Sequence, residues 1–173
     1  NGQIRLILSG IGKANAAMTT AYLILEYAPS RVFNIGAAGA TDGRHPRGTH
    51  LHITQIIEPD RPHLKSGQPH QVFPEPLEGF SQAVLATQDR PVIGDAERKT
   101  LSLEAQLADM EAAAVAQTCA RFHTPCHVFK FVSDSPNEGP GLDIKENIRH
   151  YRDAFFCFFR DAVLPVVRRH SNP

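Results

Sequence analysis

The fold of this chain is decided by two stretches, residues 107–114 (LADMEAAA) and residues 131–135 (FVSDS). The first places a carboxylate where an alanine-rich helix begins. The second places another carboxylate just after an apolar strand that we predict over residues 127–132. In open α/β sheets, ligands bind outside the carboxyl ends of the strands, where several loops meet. Two carboxylates at such positions can therefore converge on one pocket.

The first half of the chain reads as strand, helix, strand. Residues 4–8 predict a strand, and residues 31–35 predict a second strand that leads into a loop of small residues. The helix between them spans about residues 13–27 and ends before Pro29. Such a unit is parallel with a right-handed crossover. A third strand is predicted over residues 49–57.

The second half is more helical. Residues 59–76 carry five prolines and predict a loop, and residues 80–87 fit either a helix end or a strand. Residues 97–122 predict a mostly helical segment in two pieces that meet near Asp109, which would cap the second piece. The last helix carries an apolar face and is expected to end at Pro165.

Length and composition limit the function classes. The 173 residues are expected to form one domain over residues 1–173, and the net charge of zero disfavours nucleic acid and membrane surfaces as partners. No apolar run approaches the ~18 residues of a membrane helix, which predicts a soluble cytoplasmic protein. The three cysteines lack Cys-x-x-Cys spacing, and the histidines lack other ligands at metal spacing, so neither disulfide nor metal site is expected. Because the sequence begins with Asn1, we expect a fragment or a processed form.

Four motifs occur in order: residues 9–13 (SGIGK), 34–40 (NIGAAGA), 109–112 (DMEA) and 133–134 (SD). Together they resemble the nucleoside phosphorylase superfamily, and most of all its 5'-methylthioadenosine/S-adenosylhomocysteine nucleosidase branch. The resemblance implies a three-layer α/β/α fold with a mixed, largely parallel central sheet. It also implies a nucleoside as the small-molecule partner, a homodimer or larger homo-oligomer, and no metal or organic cofactor.

Asp134 and Ser133 are the candidate catalytic residues. On spacing alone, an aspartate after a strand is most simply a turn or capping residue. Cleavage of a purine N-glycosidic bond, however, requires the departing base to leave neutral, so an acid must deliver or share a proton at N7. The resemblance places Asp134 at that position, and Ser133 would orient it.

Glu111 and Met110 are candidate substrate-binding residues. An isolated glutamate in the first turn of a helix is most simply a charge that complements the helix dipole. A carboxylate can also accept two hydrogen bonds from adjacent ribose hydroxyls. The resemblance matches Glu111 to the family's ribose-binding glutamate, and Met110 to the neighbouring methionine that packs against the sugar.

Three further positions are expected to contact substrate through the backbone. Ala38 and Gly39 lie in the small-residue loop, where the chain can approach a ligand closely. Val92 ends residues 89–92 (DRPV), which resemble the family's base-binding segment, although Pro91 stands where the family often has Phe. In phosphorylases, an Arg and a Ser contact phosphate at the positions that Asn34 and Ala37 occupy here. Water is therefore expected as the nucleophile.

Several alternatives stay open at the level of sequence. The family's first strand, which carries the carboxylate that activates water, would lie before Asn1. Without such a strand, the chain could be a non-catalytic nucleoside-binding module. A phosphate-dependent phosphorylase and a futalosine-type hydrolase are further possibilities.

Overall fold

The computed structural model describes residues 4–136 and 144–170, with His170 described by its backbone only. Its helices and strands follow one another in this order: α1 (Lys13–Tyr27), β1 (Val32–Ala40), β2 (His50–Pro62), β3 (Pro69–Val72), β4 (Gln82–Thr87), α2 (Asp95–Leu101), β5 (Leu107–Asp109), α3 (Ala112–Arg121), β6 (Cys126–Asp134), α4 (Ile144–Phe158), a π-helical turn (Phe159–Val163) and α5 (Leu164–His170). In the described part of the chain, no helix is both long and apolar enough to cross a membrane.

The strands form one mixed sheet in the order β3-β2-β4-β5-β1-β6. The pairs β1/β6, β2/β4 and β4/β5 are parallel, and β1/β5 and β2/β3 are antiparallel. Strand β2 is long enough to pair with β6 as well, in an antiparallel register. The sheet therefore closes on itself, and β3 remains outside the ring as an edge strand.

Helices cover both faces of β1 and β6, which gives the three-layer arrangement expected from the sequence. On one face, Val128 and Val132 join a core cluster to which α1 and α3 contribute. On the other face, Phe129 and Phe131 pack with residues of the C-terminal helices, including Phe155. Alternation along β6 thus divides its side chains between two apolar cores, as the pleat of a strand requires.

The strand predicted over residues 4–8 is wrong. This segment adopts no regular structure, and Ile4, Leu6 and Leu8 are 64%, 75% and 90% exposed. A strand needs backbone partners, and among the described residues no strand pairs with this segment. The apolar pattern of these residues could not show whether a strand would pair with them.

The loop predicted over residues 59–76 is also partly wrong. Strand β2 continues to Pro62, and β3 pairs with it antiparallel, with Pro62 opposite Pro69. Proline is tolerated here because the pairing lies at the edge of the sheet. Residues 80–87, which fit either a helix end or a strand by sequence, contain strand β4.

The helical segment predicted over residues 97–122 is interrupted by a strand. Helix α2 ends at Leu101, and the three residues of β5 fill the gap between β4 and β1 before α3 begins. The C-terminal helix, in contrast, continues past Pro165. The π-helical turn precedes this proline, and Leu164 N–H donates to Phe159 O. A widened turn gives the proline ring room that a regular α-turn would deny it.

Candidate active site

One row of paired residues crosses four strands at the centre of the candidate site. Asp134 of β6 lies opposite Gly39 of β1, Gly39 opposite Ala108 of β5, and Ala108 opposite Ala86 of β4. The register of β1 against β6 shifts between Ala38 and Gly39, and this irregularity brings Asp134 level with Gly39. Residues 109–111 follow Ala108 directly, so Glu111 lies three positions along the chain from this row.

Asp134 is the last residue of β6 and is held by two side chains. Its Oδ1 accepts from Ser133 Oγ at 2.8 Å, and its Oδ2 accepts from Arg98 Nη2 at 2.5 Å. The carboxylate keeps 19% of its surface exposed, so it is accessible at the edge of the site. The Ser133 hydroxyl also lies 3.2 Å from Ala38 O, so it contacts both Asp134 and strand β1.

Ala38 and Gly39 lie beside Asp134 within strand β1, so the loop of small residues predicted after residue 35 is wrong; these residues pair with β6 instead. The Ala38 side chain is buried in the core, so only its backbone faces Ser133. A Cβ at Gly39 would stand 2.9 Å from Asp134 Oδ2, closer than side-chain carbons approach other atoms. Glycine at residue 39 is thus required for the carboxylate to occupy its place.

Glu111 is the N-cap residue of α3, yet its side chain does not cap the helix. Asp109 does so instead, because its Oδ2 accepts from Ala112 N at 2.9 Å. Glu111 Oε1 accepts from Gly12 N at 2.8 Å, so the glycine turn before α1 lies against it. The Glu111 carboxylate is therefore held by the turn before α1, and in the described part of the chain no hydrogen bond engages its second oxygen. Met110 is partly exposed beside it.

Val92 is partly buried and packs against a small core cluster that includes Ala86 and Leu101. Its carbonyl oxygen accepts from Arg98 Nη2 at 3.4 Å. The same nitrogen also contacts Asp134, so Arg98 links the predicted base-binding segment to the predicted acid. The contacts therefore join Asp134, Ser133, Ala38, Gly39 and Val92 in one network, while Glu111 and Met110 lie with the glycine turn.

A buried ion pair lies beneath these groups. Lys130 Nζ is 2.9 Å from Asp109 Oδ2, and the two side chains are 3% and 1% exposed. Asp109 Oδ1 also accepts from Thr87 Oγ1 at 2.6 Å. This pair ties β4, β5 and β6 together directly below the start of α3. The signal for it is a lysine within an apolar strand, since a buried lysine requires a partner.

A cavity of about 440 Å³ lies beside α1 and contains none of the predicted site residues. It is lined by a charged network around Lys13, whose Nζ is 2.7 Å from Asp60 and 3.2 Å from Glu58. Burial alone would lower the pKa of Lys13, but hydrogen bonds to Asp60 and Glu58 outweigh it and raise that pKa above its ordinary value. Asp60 also accepts from the backbone of Asp89, at 2.7 Å. The network thus anchors the segment that leads to Val92.

Two features of the candidate site escape sequence reasoning. Arg98 lies in a short helix far along the chain from Asp134, and nothing in its neighbourhood indicates that it reaches this carboxylate. The network of Lys13, Glu58 and Asp60 joins residues from α1 and the end of β2, a region predicted to be a loop. In the described residues, no three side chains of His, Cys, Asp or Glu converge on a point where they could hold a metal ion.

The family model described as "Phosphorylase superfamily" matches residues 1–90 and 80–163 of the chain. A 5'-methylthioadenosine/S-adenosylhomocysteine nucleosidase of Staphylococcus haemolyticus (strain JCSC1435) is 32% identical over an alignment 168 residues long, which covers 83% of this chain and 74% of the relative. A protein of the same name from Staphylococcus carnosus (strain TM300) is 31% identical over an alignment 172 residues long, which covers 86% of this chain and 75% of that relative.

Solved structures agree with these relatives. The nucleosidase of Neisseria meningitidis in complex with methylthio-immucillin-A is similar with a TM-score of 0.71 at 29% identity, covering 84% of this chain and 74% of that one. The Campylobacter jejuni nucleosidase has a TM-score of 0.74 at 20% identity, covering 88% and 77%, a likeness of fold alone. Futalosine hydrolase of Helicobacter pylori shares the fold as well, with a TM-score of 0.65 at 23% identity over 85% and 70% of the two chains.

Proposed function

The chain belongs to the phosphorylase superfamily, and we propose that it is a nucleosidase. The reaction is hydrolysis of the N-glycosidic bond of a purine nucleoside or thionucleoside of the methylthioadenosine or adenosylhomocysteine type, with free base and sugar as products. The two staphylococcal nucleosidases, which are 31–32% identical to this chain over most of its length, support this activity. The observation that carries the proposal for the site is the surroundings of Asp134, whose carboxylate lies beside Gly39 and accepts from Ser133 Oγ and Arg98 Nη2.

Asp134 is the proposed acid. As the glycosidic bond lengthens, its electron pair passes to the purine, and a proton at N7 allows the base to leave neutral. Ser133 and Gly39 support this role because one holds Oδ1 at 2.8 Å and the other leaves space for the carboxylate. The oxygen of water then bonds to the anomeric carbon of the sugar, and its proton is lost to a base.

Glu111 is the proposed ribose ligand, with Met110 packed against the sugar. One of its oxygens is engaged by Gly12 N, and a carboxylate has enough lone pairs to accept from sugar hydroxyls as well. A negative charge beside the ribose also stabilises the positive charge that develops at the anomeric carbon. The backbones of Ala38, Gly39 and Val92 are proposed to contact the substrate.

The assembly and location of the protein belong to the same proposal. Met18, Tyr22 and Leu25 recur on one face of α1 and are 64%, 56% and 72% exposed, which supports burial against a second copy. The buried free thiols of Cys119 and Cys126 suit a reducing compartment such as the cytoplasm. Light scattering of wild type and of Leu25→Glu tests the assembly, and a monomeric wild type would reject it. The described elements are further proposed to form one domain over residues 1–173.

The activity is tested by chromatography of 5'-methylthioadenosine, adenosylhomocysteine, inosine and futalosine after incubation with the full-length protein. We expect free base and free sugar from one or more of them, in equal yield with and without phosphate. Sugar 1-phosphate that forms only with phosphate would identify a phosphorylase instead. Binding without release of base would identify a non-catalytic nucleoside-binding module.

A further inference from the structure

Arg98 reaches from α2 into the site and contacts three of its elements. Its Nη1 donates to Ala40 O at 2.6 Å, at the end of β1. Its Nη2 donates to Asp134 Oδ2 at 2.5 Å and lies 3.4 Å from Val92 O. The side chain is only 15% exposed. A single nitrogen therefore occupies the point on which the proposed acid and the proposed base-binding carbonyl converge.

That point is where the edge of a purine base would place a donor. N7 and the substituent at C6 are neighbours on the purine ring, and an amino group at C6 donates hydrogen bonds as a guanidinium nitrogen does. Once Asp134 has given its proton to N7, the leaving base carries donors at N7 and at a C6 amino group. The acceptors that it needs, Asp134 Oδ2 and Val92 O, are the two oxygens that Arg98 Nη2 contacts. The arginine and the base therefore compete for the same two oxygens.

We propose that Arg98 is a base-site residue that competes with the purine for Asp134 and Val92, and so promotes release of the free base. This inference rests on the proposed nucleosidase function. Binding of the base breaks the charge-assisted hydrogen bond between Arg98 and Asp134 and replaces it with one from the base. The loss of the first bond lowers the net affinity of the protein for the base. After hydrolysis, Arg98 returns to Asp134 as the base leaves. The contact of Nη1 with Ala40 O involves neither acceptor and keeps the guanidinium close.

The affinity for adenine tests the competition. Arg98→Met removes the donors and keeps most of the apolar stem. We expect it to bind adenine about tenfold more tightly by calorimetry, with stronger product inhibition by adenine in the assay with 5'-methylthioadenosine. Lys99→Met, an exposed lysine on the same helix, is the matched control and should match wild type. Equal or weaker adenine binding by a folded Arg98→Met protein would overturn the proposal.

A second measurement needs no substitution. Crystals of the wild-type protein grown with and without adenine should show Arg98 Nη2 on Asp134 only in the absence of adenine. If Nη2 stays within hydrogen-bond distance of Asp134 with adenine bound, the proposal is wrong, whatever the variants do. If the wild type cleaves nucleosides and Arg98→Met binds adenine with unchanged affinity, only the inference about Arg98 is refuted. If the wild type neither cleaves nucleosides nor binds adenine, both the proposed function and the inference about Arg98 are refuted.

Discussion

The buried ion pair of Lys130 and Asp109 tests whether the contacts beneath the candidate site stabilise the fold. In Lys130→Met, the side chain keeps a similar apolar stem but loses its charge, and the carboxylate of Asp109 stays buried at 1% exposure. Removing one partner of a buried ion pair costs about 3–5 kcal/mol. Asp109 retains the donors Thr87 Oγ1 and Ala112 N, at 2.6 and 2.9 Å, so we expect the lower end, about 3 kcal/mol.

Urea unfolding measures this cost as a loss in the free energy of unfolding. For a chain of this size, about 3 kcal/mol corresponds to a melting temperature lower by about 6–12 °C. Lys99→Met removes an exposed lysine and is the control, with an expected change within about 0.5 kcal/mol.

A double-mutant cycle isolates the pair itself. Asp109→Asn alone leaves Lys130 buried without its charge partner, and its cost should also be about 3 kcal/mol. In the double mutant neither charge is buried, so the total cost should lie about 2 kcal/mol or more below the sum of the single costs. Additive costs, or a loss below about 1 kcal/mol in Lys130→Met, would refute the reasoning that this pair supports the start of α3.

Three further perturbations address the site and the core. Asp134→Asn should lower turnover by about 10²–10⁴ with little change in melting temperature, and full activity would remove it from catalysis. Glu111→Gln should keep the fold and weaken a nucleoside analogue about tenfold in calorimetry, whereas unchanged affinity would leave it a structural role only. Burial lowers the pKa of His52, whose Nε2 accepts from Leu77 N at 2.9 Å. Protonation of His52 therefore favours the unfolded chain, so the free energy of unfolding should fall as pH drops below about 6.5. In His52→Gln this fall should be smaller, and equal dependence on pH in the two proteins would contradict the reasoning.

The candidate site residues that the sequence indicated share a local signature. Asp134 follows an apolar strand, and Glu111 precedes a run of alanines with high helix propensity. Strand and helix depend mainly on the pattern of neighbours along the chain, so β6 and α3 were predicted close to their observed bounds. The ordered motifs then indicated the family, and the comparisons confirmed it.

The failures share a cause as well. The strand expected at residues 4–8 has no pairing strand in the described structure, while Leu107 to Asp109 became a strand because β1 and β4 lie on either side of it. Backbone pairing joins residues that are far apart in sequence, so local propensity cannot decide it. The same holds for proline at residue 165, whose cost depends on the turn before it.

By itself, the sequence determined the α/β class, the family and the two carboxylates, because each follows from local pattern or from motifs in order. Only the tertiary structure decided what surrounds those carboxylates. Arg98 reaches Asp134 across 36 positions of chain, and Gly12 reaches Glu111 across 99. Such contacts depend on how the sheet closes and on the register of β1 against β6, which arise only when distant segments pack together and bury their apolar faces.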